Sequence, residues 1–408
     1  MDVNGREWAW PAIGHHDFEQ DHSCSSPDSS SGLFSASFFS AGASASQGLR
    51  DLWVSHSSRW FTAFLLAITI QALGVSLLTF LGVIAPEAPK LSVIATVLGS
   101  FLFGVGIVLA GGCATGTYYR AGEGLVGSWF ALVAYALFAA AAKTGFLSPA
   151  TARVKGLWTT GMTTIPATIG LPNWVGVAAL CIVSAFAVHR QIRRESARRP
   201  AVQLPAQRTG LNHLLFEYAW NPLATGAIVG VIAIIAWPLS WASGRPDGLG
   251  ITTPSANLVS VLVTGDWSRL DWGVLLVVGI MLGSYAAARA SGEFRVRVPS
   301  ALVIQRAIVG GALMGIGAAW AGGCSIGNAL VQTSLLSWQG WIALVFQILG
   351  VGAAAWATLI RPREQRRRAR AAQATAETAE YEPAAPSVSE GAAPEMAVQH
   401  APTPSPAR

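Results

Sequence analysis

Apolar runs separated by short polar segments dominate the chain. Each run is close to the ~20 residues that a helix needs to cross the hydrocarbon layer of a membrane, although the fourth is short. The runs lie at about residues 60–83, 91–111, 125–142, 173–188, 222–242, 272–290, 300–320 and 338–360. Helix-breaking segments such as Ala85–Pro89 divide them. The pattern predicts an all-α polytopic membrane protein with about eight full spans.

One further segment, residues 250–265 with the sequence GITTPSANLVSVLVTG, is too short and too polar to cross the membrane. We expect it to dip into the membrane and return on the same side. Irregular backbone at membrane depth is tolerated only where protein or a watery cavity surrounds it. This re-entrant segment, which contains Ser255, therefore points to a transport pathway.

The distribution of charge supports a membrane protein and predicts its orientation. Only 12% of the 408 residues are charged and 52% are hydrophobic, which excludes an ordinary soluble domain. Arginine collects at residues 189–199 and 361–370, in each case directly after an apolar run. The positive-inside rule places both clusters, and with them the C-terminus, in the cytoplasm. Topology therefore accounts for the net charge of +6, and no soluble basic module indicates a nucleic-acid partner.

Cysteine and histidine do not form a pattern typical of metal sites. The four cysteines are Cys24, Cys113, Cys181 and Cys324. They include no CxxC pair and have no histidine nearby, which favours single thiols over a zinc site or a disulfide framework. Three N-terminal histidines (His15, His16 and His22) lack ligand spacing, so a solvated tail is favoured over a metal site. We predict no cofactor or metal, and we assign Cys24 no role and Cys181 a packing role.

A glycine-flanked cysteine motif occurs twice. GGCATG at Gly111–Gly116 returns as GGCSIG at Gly322–Gly327, each at the end of an apolar run. Residues 104–117 and 315–328 match at seven of fourteen positions, with Cys324 following Cys113 by 211 residues. The apolar runs around the two motifs align as well. The sequence therefore contains an internal duplication of about a hundred residues.

The two copies are predicted to have opposite orientations. Five runs start between the beginning of the first copy and the beginning of the second, and an odd number of crossings inverts the second copy. Inverted repeats are typical of transporters, whose substrate site lies near the midplane where the repeats meet. We therefore predict an hourglass-like pore with short re-entrant helices, in which Cys113 approaches from the cytoplasmic side and Cys324 from the opposite side.

The chain is accordingly divided into five segments. They are residues 1–50, a polar irregular segment; 51–190, the first membrane repeat with an extra span; 191–221, a basic cytoplasmic loop; 222–360, the second, inverted membrane repeat; and 361–408, a basic and then Ala/Pro-rich tail. The tail lacks the apolar content that would offset the entropy cost of ordering, so it is predicted to be disordered.

The motif residues suit a soft ligand. Glycines bring backbone N–H groups and neighbouring helices close to the cysteine, and a thiol is a polarisable group suited to a sulfur-bearing ligand. The candidate binding residues within the motifs are Gly112, Cys113, Thr115, Arg120, Gly323, Cys324, Ser325 and Asn328. Arg120 is open to two interpretations: it draws an anion to the inner mouth, or it anchors the helix in the cytoplasm or pairs with Glu123.

The segments AGGCATGTYYRAGEG and AGGCSIGN resemble the paired signatures of the YeeE/YedE sulfur-transport family of the bacterial inner membrane. The resemblance covers about residues 48–360. It implies import of thiosulfate through an hourglass of inverted repeats, in which cysteines relay the anion through S–H···S hydrogen bonds without covalent chemistry. That role passes to Cys113 and Cys324.

The family pattern has a third cysteine in the re-entrant segment of the first repeat. Ser255 of the second repeat aligns with Ser44, so these two serines join the candidate residues, and Cys24 lies too far upstream to replace the cysteine. Two explanations stay open: a mis-assigned start of the chain, or a protein that works with two cysteines and a shortened first repeat.

We therefore predict a thiosulfate transporter rather than an enzyme, with a small sulfur anion, the lipid bilayer and a cytoplasmic sulfur-carrier protein as candidate partners. G-x-x-x-x-G-K-[ST] does not occur in the sequence. One alternative is a membrane thiol enzyme that handles sulfane sulfur or electrons through a cysteine persulfide or disulfide. The other is a structural subunit whose glycines only pack helices.

Overall fold

A computed structural model describes Trp53 and residues 58–196, 221–292 and 294–380. Within these residues the chain is helical and contains no β-strand. Eight of the described helices are long and apolar enough to cross a membrane. They are α1 (Arg59–Phe80), α2 (Val93–Leu109), α4 (Val126–Lys143), α7 (Asn173–Ser196), α8 (Pro222–Ala242), α10 (Trp272–Ser291), α11 (Ala301–Ala321) and α12 (Trp338–Ala355). The prediction of an all-α protein with eight spans is confirmed.

Shorter helices lie between the spans. They are α3 (Ala114–Gly122), α5 (Ser148–Gly156), α6 (Ile165–Ile169), α9 (Thr252–Thr264), a 3₁₀ turn (Trp267–Arg269) and two π-helices, Ser325–Gln332 and Trp356–Ile360. The first π-helix, called π1 below, and α3 each begin directly after the cysteine of one copy of the glycine–cysteine motif. Helix α9 occupies the segment that the sequence predicts to be re-entrant.

Helix α9 is too short to cross a membrane. Its 13 residues span about 20 Å at 1.5 Å per residue, against about 30 Å of hydrocarbon. Thr252 and Ser255 in its first turn are buried, whereas Leu262 and Val263 near its end are largely exposed. The helix thus places its N-terminal end inside the protein.

Glycines allow the spans at the centre of the protein to pack closely. A methyl group built on Gly106 of α2 would lie 2.7 Å from the carbonyl oxygen of Gly310 in α11, and one on Gly311 of α11 would lie 2.3 Å from that of Ala131 in α4. In the same way, a methyl on Gly104 of α2 would lie 2.4 Å from the carbonyl of Gln347 in α12. Small residues permit such approaches because lipid supplies no hydrophobic driving force between helices. Helices α2, α4, α11 and α12 therefore form the centre of the packing.

Helix α1 packs closely against α8, again at glycine residues. A methyl on Gly226 of α8 would lie 2.3 Å from the carbonyl of Ala63, and one on Gly230 would contact Ile70 at 2.8 Å. Helix α7 also packs against α1, where Arg59 forms an ion pair with Glu195 at 2.7 Å.

Residues beyond Ile360 form a separate compact unit. Its described part is one helix, α13 (Arg361–Glu380). This differs from the irregular tail that the sequence predicts for residues 361–380, and the reason is local: the segment is rich in Ala, Arg, Gln and Glu, which have high helix propensity. Residues 381–408 and the predicted N-terminal segment 1–50 lie outside the described residues, as does most of the loop at 191–221.

Candidate functional site

Two glycine turns interrupt long apolar runs inside the protein. Helix α2 ends at Leu109 and α3 begins at Ala114, with Gly111 between them at φ +75°. Helix α11 ends at Ala321 and π1 begins at Ser325, with Gly322 at φ +85°. A positive φ is costly for a side chain with a Cβ, so glycine is the residue that permits both turns. Each turn is followed directly by a buried glycine (Gly112 or Gly323) and a cysteine.

The two cysteines occupy equivalent positions. Cys113 is the N-cap of α3 and Cys324 is the N-cap of π1, both with extended backbone, and each is only 1% exposed. Their carbonyl oxygens accept hydrogen bonds from the N–H groups of Thr117 (2.9 Å) and Asn328 (2.8 Å). The N–H of Gly116 also points to the Cys113 sulfur at 3.5 Å. Each thiol therefore lies where the N–H groups and the positive dipole end of a short helix converge.

Different side chains hold the two turns. The Asn328 amide nitrogen donates to the carbonyls of Ala321 (3.0 Å) and Gly323 (2.9 Å), and Gln339 Nε2 donates to Asn328 Oδ1 (3.0 Å). At the first turn, Arg120 Nη1 donates to the carbonyl of Gly111. The polar atoms of Asn328 are thus used within the protein, and we assign it a positioning role.

The neighbours of Arg120 are relevant to both roles considered for it, attraction of an anion and pairing with Glu123. Its Nε lies 3.4 Å from the Tyr119 hydroxyl, and its guanidinium lies 5.9 Å from the centroid of that ring. It also interacts electrostatically with Glu123 and with Cys113. The charge of Arg120 is therefore placed beside the first thiol while its N–H groups hold the turn.

Two hydroxyls beside the cysteines have no hydrogen-bond partner. Thr115 is 3% exposed and Ser325 is 1% exposed, and within the described part of the chain neither Oγ atom has a donor or acceptor in reach. Buried polar groups are normally paired. These two hydroxyls, one in each motif, are therefore available to a polar ligand.

Helix α9 is bonded to the helix of the first motif and to α4. Ser255 Oγ donates to the carbonyl of Ile251 at 2.6 Å, so the Tyr118 hydroxyl of α3 is the donor in its 2.8 Å contact with Ser255. Tyr135 of α4 donates from its hydroxyl to Thr252 Oγ1 at 2.9 Å. The Tyr135 phenol also lies within electrostatic range of both Cys324 and Cys113.

Some of the predicted site residues belong to the buried core or contact it. Cys113, Cys324 and Tyr118 belong to one continuous buried cluster together with Tyr135. Ser255 contacts this cluster through Tyr118. Ser44, the predicted equivalent of Ser255, lies outside the described residues.

Neither a disulfide nor a metal cluster is found among the described residues. The cysteines at 113, 181 and 324 are not joined to one another or to another described cysteine. The same part of the chain contains no group of three or more His, Cys, Asp or Glu side chains that could hold a metal ion. The site therefore offers thiols, hydroxyls, backbone N–H groups and one neighbouring guanidinium, which is a set of donors for a small anion.

Comparison with known proteins identifies the family. Residues 41–353 match the family model described as sulphur transport. The chain belongs to the sulphur transport family. It is 46% identical over 325 residues to the protein named thiosulfate transporter TsuA of Escherichia coli K12, covering 80% of this chain and 92% of that one. It is 33% identical over 323 residues to the TsuA of Spirochaeta thermophila, covering 75% and 90%.

A shorter match joins the chain to a second group of the same family. Over 83 residues it is 43% identical to a protein of Salmonella typhimurium named probable transporter YedE, which is 20% of each chain. These relatives are named as transporters, in agreement with the prediction that the protein is not an enzyme. The family match spans both glycine–cysteine motifs and every described helix from α1 to α11.

Two residues of this sulphur transport protein were missed by reasoning from sequence. Tyr135 bonds α9, and Lys143 donates from Nζ to Thr253 Oγ1 in the first turn of the same helix. Their chemistry could have identified both residues from the sequence. A phenol in the middle of an apolar run and a lysine at its end are unusual and indicate a functional role. Their partners are more than a hundred residues away in sequence, which no local pattern reveals.

Proposed function

We propose that the protein transports thiosulfate across the bacterial inner membrane, into the cytoplasm, with Cys113 and Cys324 as successive contacts of the anion. The observation that carries this proposal is the equivalence of the two cysteines. Each is buried at the N-cap of a short helix and each has an unpaired hydroxyl nearby, Thr115 or Ser325. The names of the two full-length relatives support thiosulfate as the substrate.

The chemistry of the site matches that of the anion. Thiosulfate carries a soft terminal sulfur and three hard oxygens. A neutral thiol can donate S–H to the sulfur, while the hydroxyls and the N–H groups at the helix N-termini can donate to the oxygens. Transfer between the two thiols then requires only exchange of hydrogen bonds. No bond between sulfur atoms is formed or broken.

The order of elements supports an arrangement as two inverted repeats. In the first repeat, within residues 51–190, a long helix is followed by a second one, a glycine turn, a short helix and another span, namely α1, α2, α3 and α4. In the second repeat, within residues 222–360, α10, α11, π1 and α12 follow in the same order. Gly111 and Gly322 are exposed while both cysteines are buried. These features fit an hourglass whose waist lies between two funnels.

We place Cys113 nearer the cytoplasm and Cys324 nearer the opposite face. The basic clusters that follow α7 and α12 support this orientation, which puts the C-terminus in the cytoplasm. A cytoplasmic sulfur-carrier protein is then a suitable recipient, because it would keep the concentration of free thiosulfate low at the inner mouth.

The test is uptake of labelled thiosulfate into proteoliposomes by wild type, Cys113→Ser and Cys324→Ser. Cys181→Ser is the matched control, because Cys181 is a half-buried thiol in α7 that belongs to neither glycine–cysteine motif. We expect uptake to be lost in the first two variants and retained in the control. Equal uptake in all four proteins would remove the relay. A stable persulfide on either cysteine after turnover, detected by mass spectrometry, would replace it with the thiol-enzyme mechanism.

A further inference from the structure

A group of basic side chains surrounds the N-terminal end of α9. Lys143 lies at the end of α4 and donates from Nζ to Thr253 Oγ1. The charges of Lys155 in α5 and of Arg245, which follows α8, repel that of Lys143, whereas Asp247 attracts it. These four groups are therefore neighbours. A second carboxylate, that of Asp271, lies close to the same point beside Gly273 as Nη1 of Arg245, so three cations face two carboxylates. The three cations belong to neither of the arginine clusters in the sequence, so the positive-inside rule does not account for this local excess of positive charge.

Arg245 is the most constrained of these cations. Its side chain is only 11% exposed and its Nη2 lies 3.4 Å from Asp247 Oδ2, a long contact to a carboxylate that is itself 52% exposed. A methyl built on Gly250 would lie 2.9 Å from Nη2, and one on Gly273 would lie 2.7 Å from Nη1. The guanidinium is thus pressed against the chain that leads into α9 and against the start of α10.

One nitrogen of this guanidinium lacks an acceptor. Within the described residues, Nη1 of Arg245 is buried and has no hydrogen-bond partner. Among the same residues, the indole Nε1 of Trp237 is also buried and has no hydrogen-bond partner. The Trp237 ring lies against Gly248 in the loop that carries Arg245. Unpaired buried donors, above all charged ones, are costly. Two such donors beside one loop indicate that an acceptor from outside the chain binds there.

The position of this group relates it to the second cysteine. The loop at Gly248 also packs against Val331 of π1, the short helix that begins after Cys324. Lys143 lies within electrostatic range of Cys324 itself. The basic group is therefore within electrostatic range of one thiol, as Arg120 is of the other.

We propose that Lys143 and Arg245 form a binding site for a small divalent oxyanion at the N-terminal end of α9, on the approach to Cys324. The proposal rests on the proposed function and extends it to the capture of the substrate. Nη1 of the guanidinium presents its N–H groups to the oxygens, and Lys143 and the N-terminal end of α9 add positive potential. The soft sulfur of the anion is left to Cys324, so the two ends of the ligand are recognised by different groups.

The test compares the kinetics of labelled thiosulfate uptake into proteoliposomes by wild type, Lys143→Gln and Arg245→Gln. Loss of a charge that captures the anion should raise KM about tenfold in each variant and change the maximal rate by less than about twofold. Lys90→Gln and Arg269→Gln are the controls. Lys90 is exposed between α1 and α2, and Arg269 pairs with Asp266 on the surface at 2.9 Å. Both should keep the KM of the wild type.

A second measurement separates failure of the site from failure of the transport proposal. Thiosulfate should raise the unfolding temperature of the detergent-solubilised wild type, and this shift should be smaller in Arg245→Gln and largely restored in Arg245→Lys. If the wild type takes up no thiosulfate but shows the shift, the transport proposal is lost and the anion site is upheld. Wild-type KM in both folded variants, or a shift that is equal in wild type and Arg245→Gln, overturns the site.

Discussion

The hydroxyl of Tyr135 donates a hydrogen bond to Oγ1 of Thr252 across 2.9 Å, and this bond joins the centre of a span to the first turn of α9. Both residues are buried. The contact fixes the inner end of α9 beside the two cysteine turns. Because α9 is short and its far end is exposed, its inner end depends on side-chain bonds to its first turn, namely this bond, that of Tyr118 with Ser255 and that of Lys143 with Thr253.

Tyr135→Phe should lower thiosulfate uptake about threefold to tenfold while the protein still folds. The substitution keeps the ring and its packing, removes one hydrogen bond and leaves the Thr252 hydroxyl without its donor, at a cost of about 1 kcal/mol in the free energy of unfolding. Uptake and thermal unfolding in detergent measure the two effects. Tyr285→Phe, at a half-exposed ring that packs edge-on against Phe294, should change neither. Full uptake by Tyr135→Phe would contradict a role for this bond.

Most of the spans could be predicted from sequence, because crossing a membrane imposes a length and a composition that are visible locally. Even the short α9 was predicted, since its polar residues exclude a full crossing. The bond between Tyr135 and Thr252 could not be predicted, because it depends on how α4 meets α9 in space. The helix at Arg361–Glu380 is the opposite case: its low apolar content predicts disorder, whereas its local helix propensity favours the helix that the structure contains.

At the site, too, the sequence predicts which residues are equivalent but not which side chains hold them in place. Duplication identified Cys113 and Cys324 as equivalent, and their common N-cap geometry agrees with that. It did not predict that Asn328 would hold the second turn while Arg120 holds the first. The two repeats share the backbone geometry of the turn but differ in the side chain that stabilises it. Alignment of the two copies therefore cannot predict which side chain holds each turn.

Asn328→Ala should destabilise the protein by about 2–4 kcal/mol and abolish uptake. The change removes three hydrogen bonds at once, those to the carbonyls of Ala321 and Gly323 and that from Gln339. Gln339 still donates to Ala321, but the Gly323 carbonyl loses its side-chain donor, and the loss of several buried bonds costs more than one. Thermal unfolding of the detergent-solubilised protein measures the loss. Asn173→Ala, at an exposed position that begins α7, provides the comparison and should have little effect. A stable Asn328→Ala variant with normal uptake would show that the turn needs no such support.

Two glycine substitutions should have opposite effects on stability. Gly106→Ala places a methyl 2.7 Å from the carbonyl of Gly310, so α2 and α11 must move apart and the protein should lose about 1–3 kcal/mol. Gly279→Ala adds a methyl in α10 where nothing lies within 4 Å, and should gain up to about 1 kcal/mol from helix propensity. Unfolding temperatures of the two variants measure the difference. Equal effects would mean that the close contact of α2 and α11 is absent in the membrane.

Gln71→Leu should stabilise the protein, against the usual direction for a buried substitution. Gln71 in α1 is fully buried, and within the described residues neither its amide oxygen nor its amide nitrogen has a hydrogen-bond partner. A leucine of similar size removes two unpaired polar atoms, so a gain of about 1–3 kcal/mol in the free energy of unfolding is expected.

Gln191→Leu is the matched control for this last change. Gln191 in α7 is also buried, but its amide donates to Glu195 at 2.8 Å and its oxygen lies 3.4 Å from the Ser58 hydroxyl. Its replacement should therefore destabilise by about 1–2 kcal/mol, because Glu195 and Ser58 lose a partner. Thermal unfolding and uptake are measured together for both variants. If Gln71→Leu is less stable than the wild type, a ligand or an ordered water satisfies the amide in the membrane, and a parallel loss of uptake would identify that ligand as the transported anion.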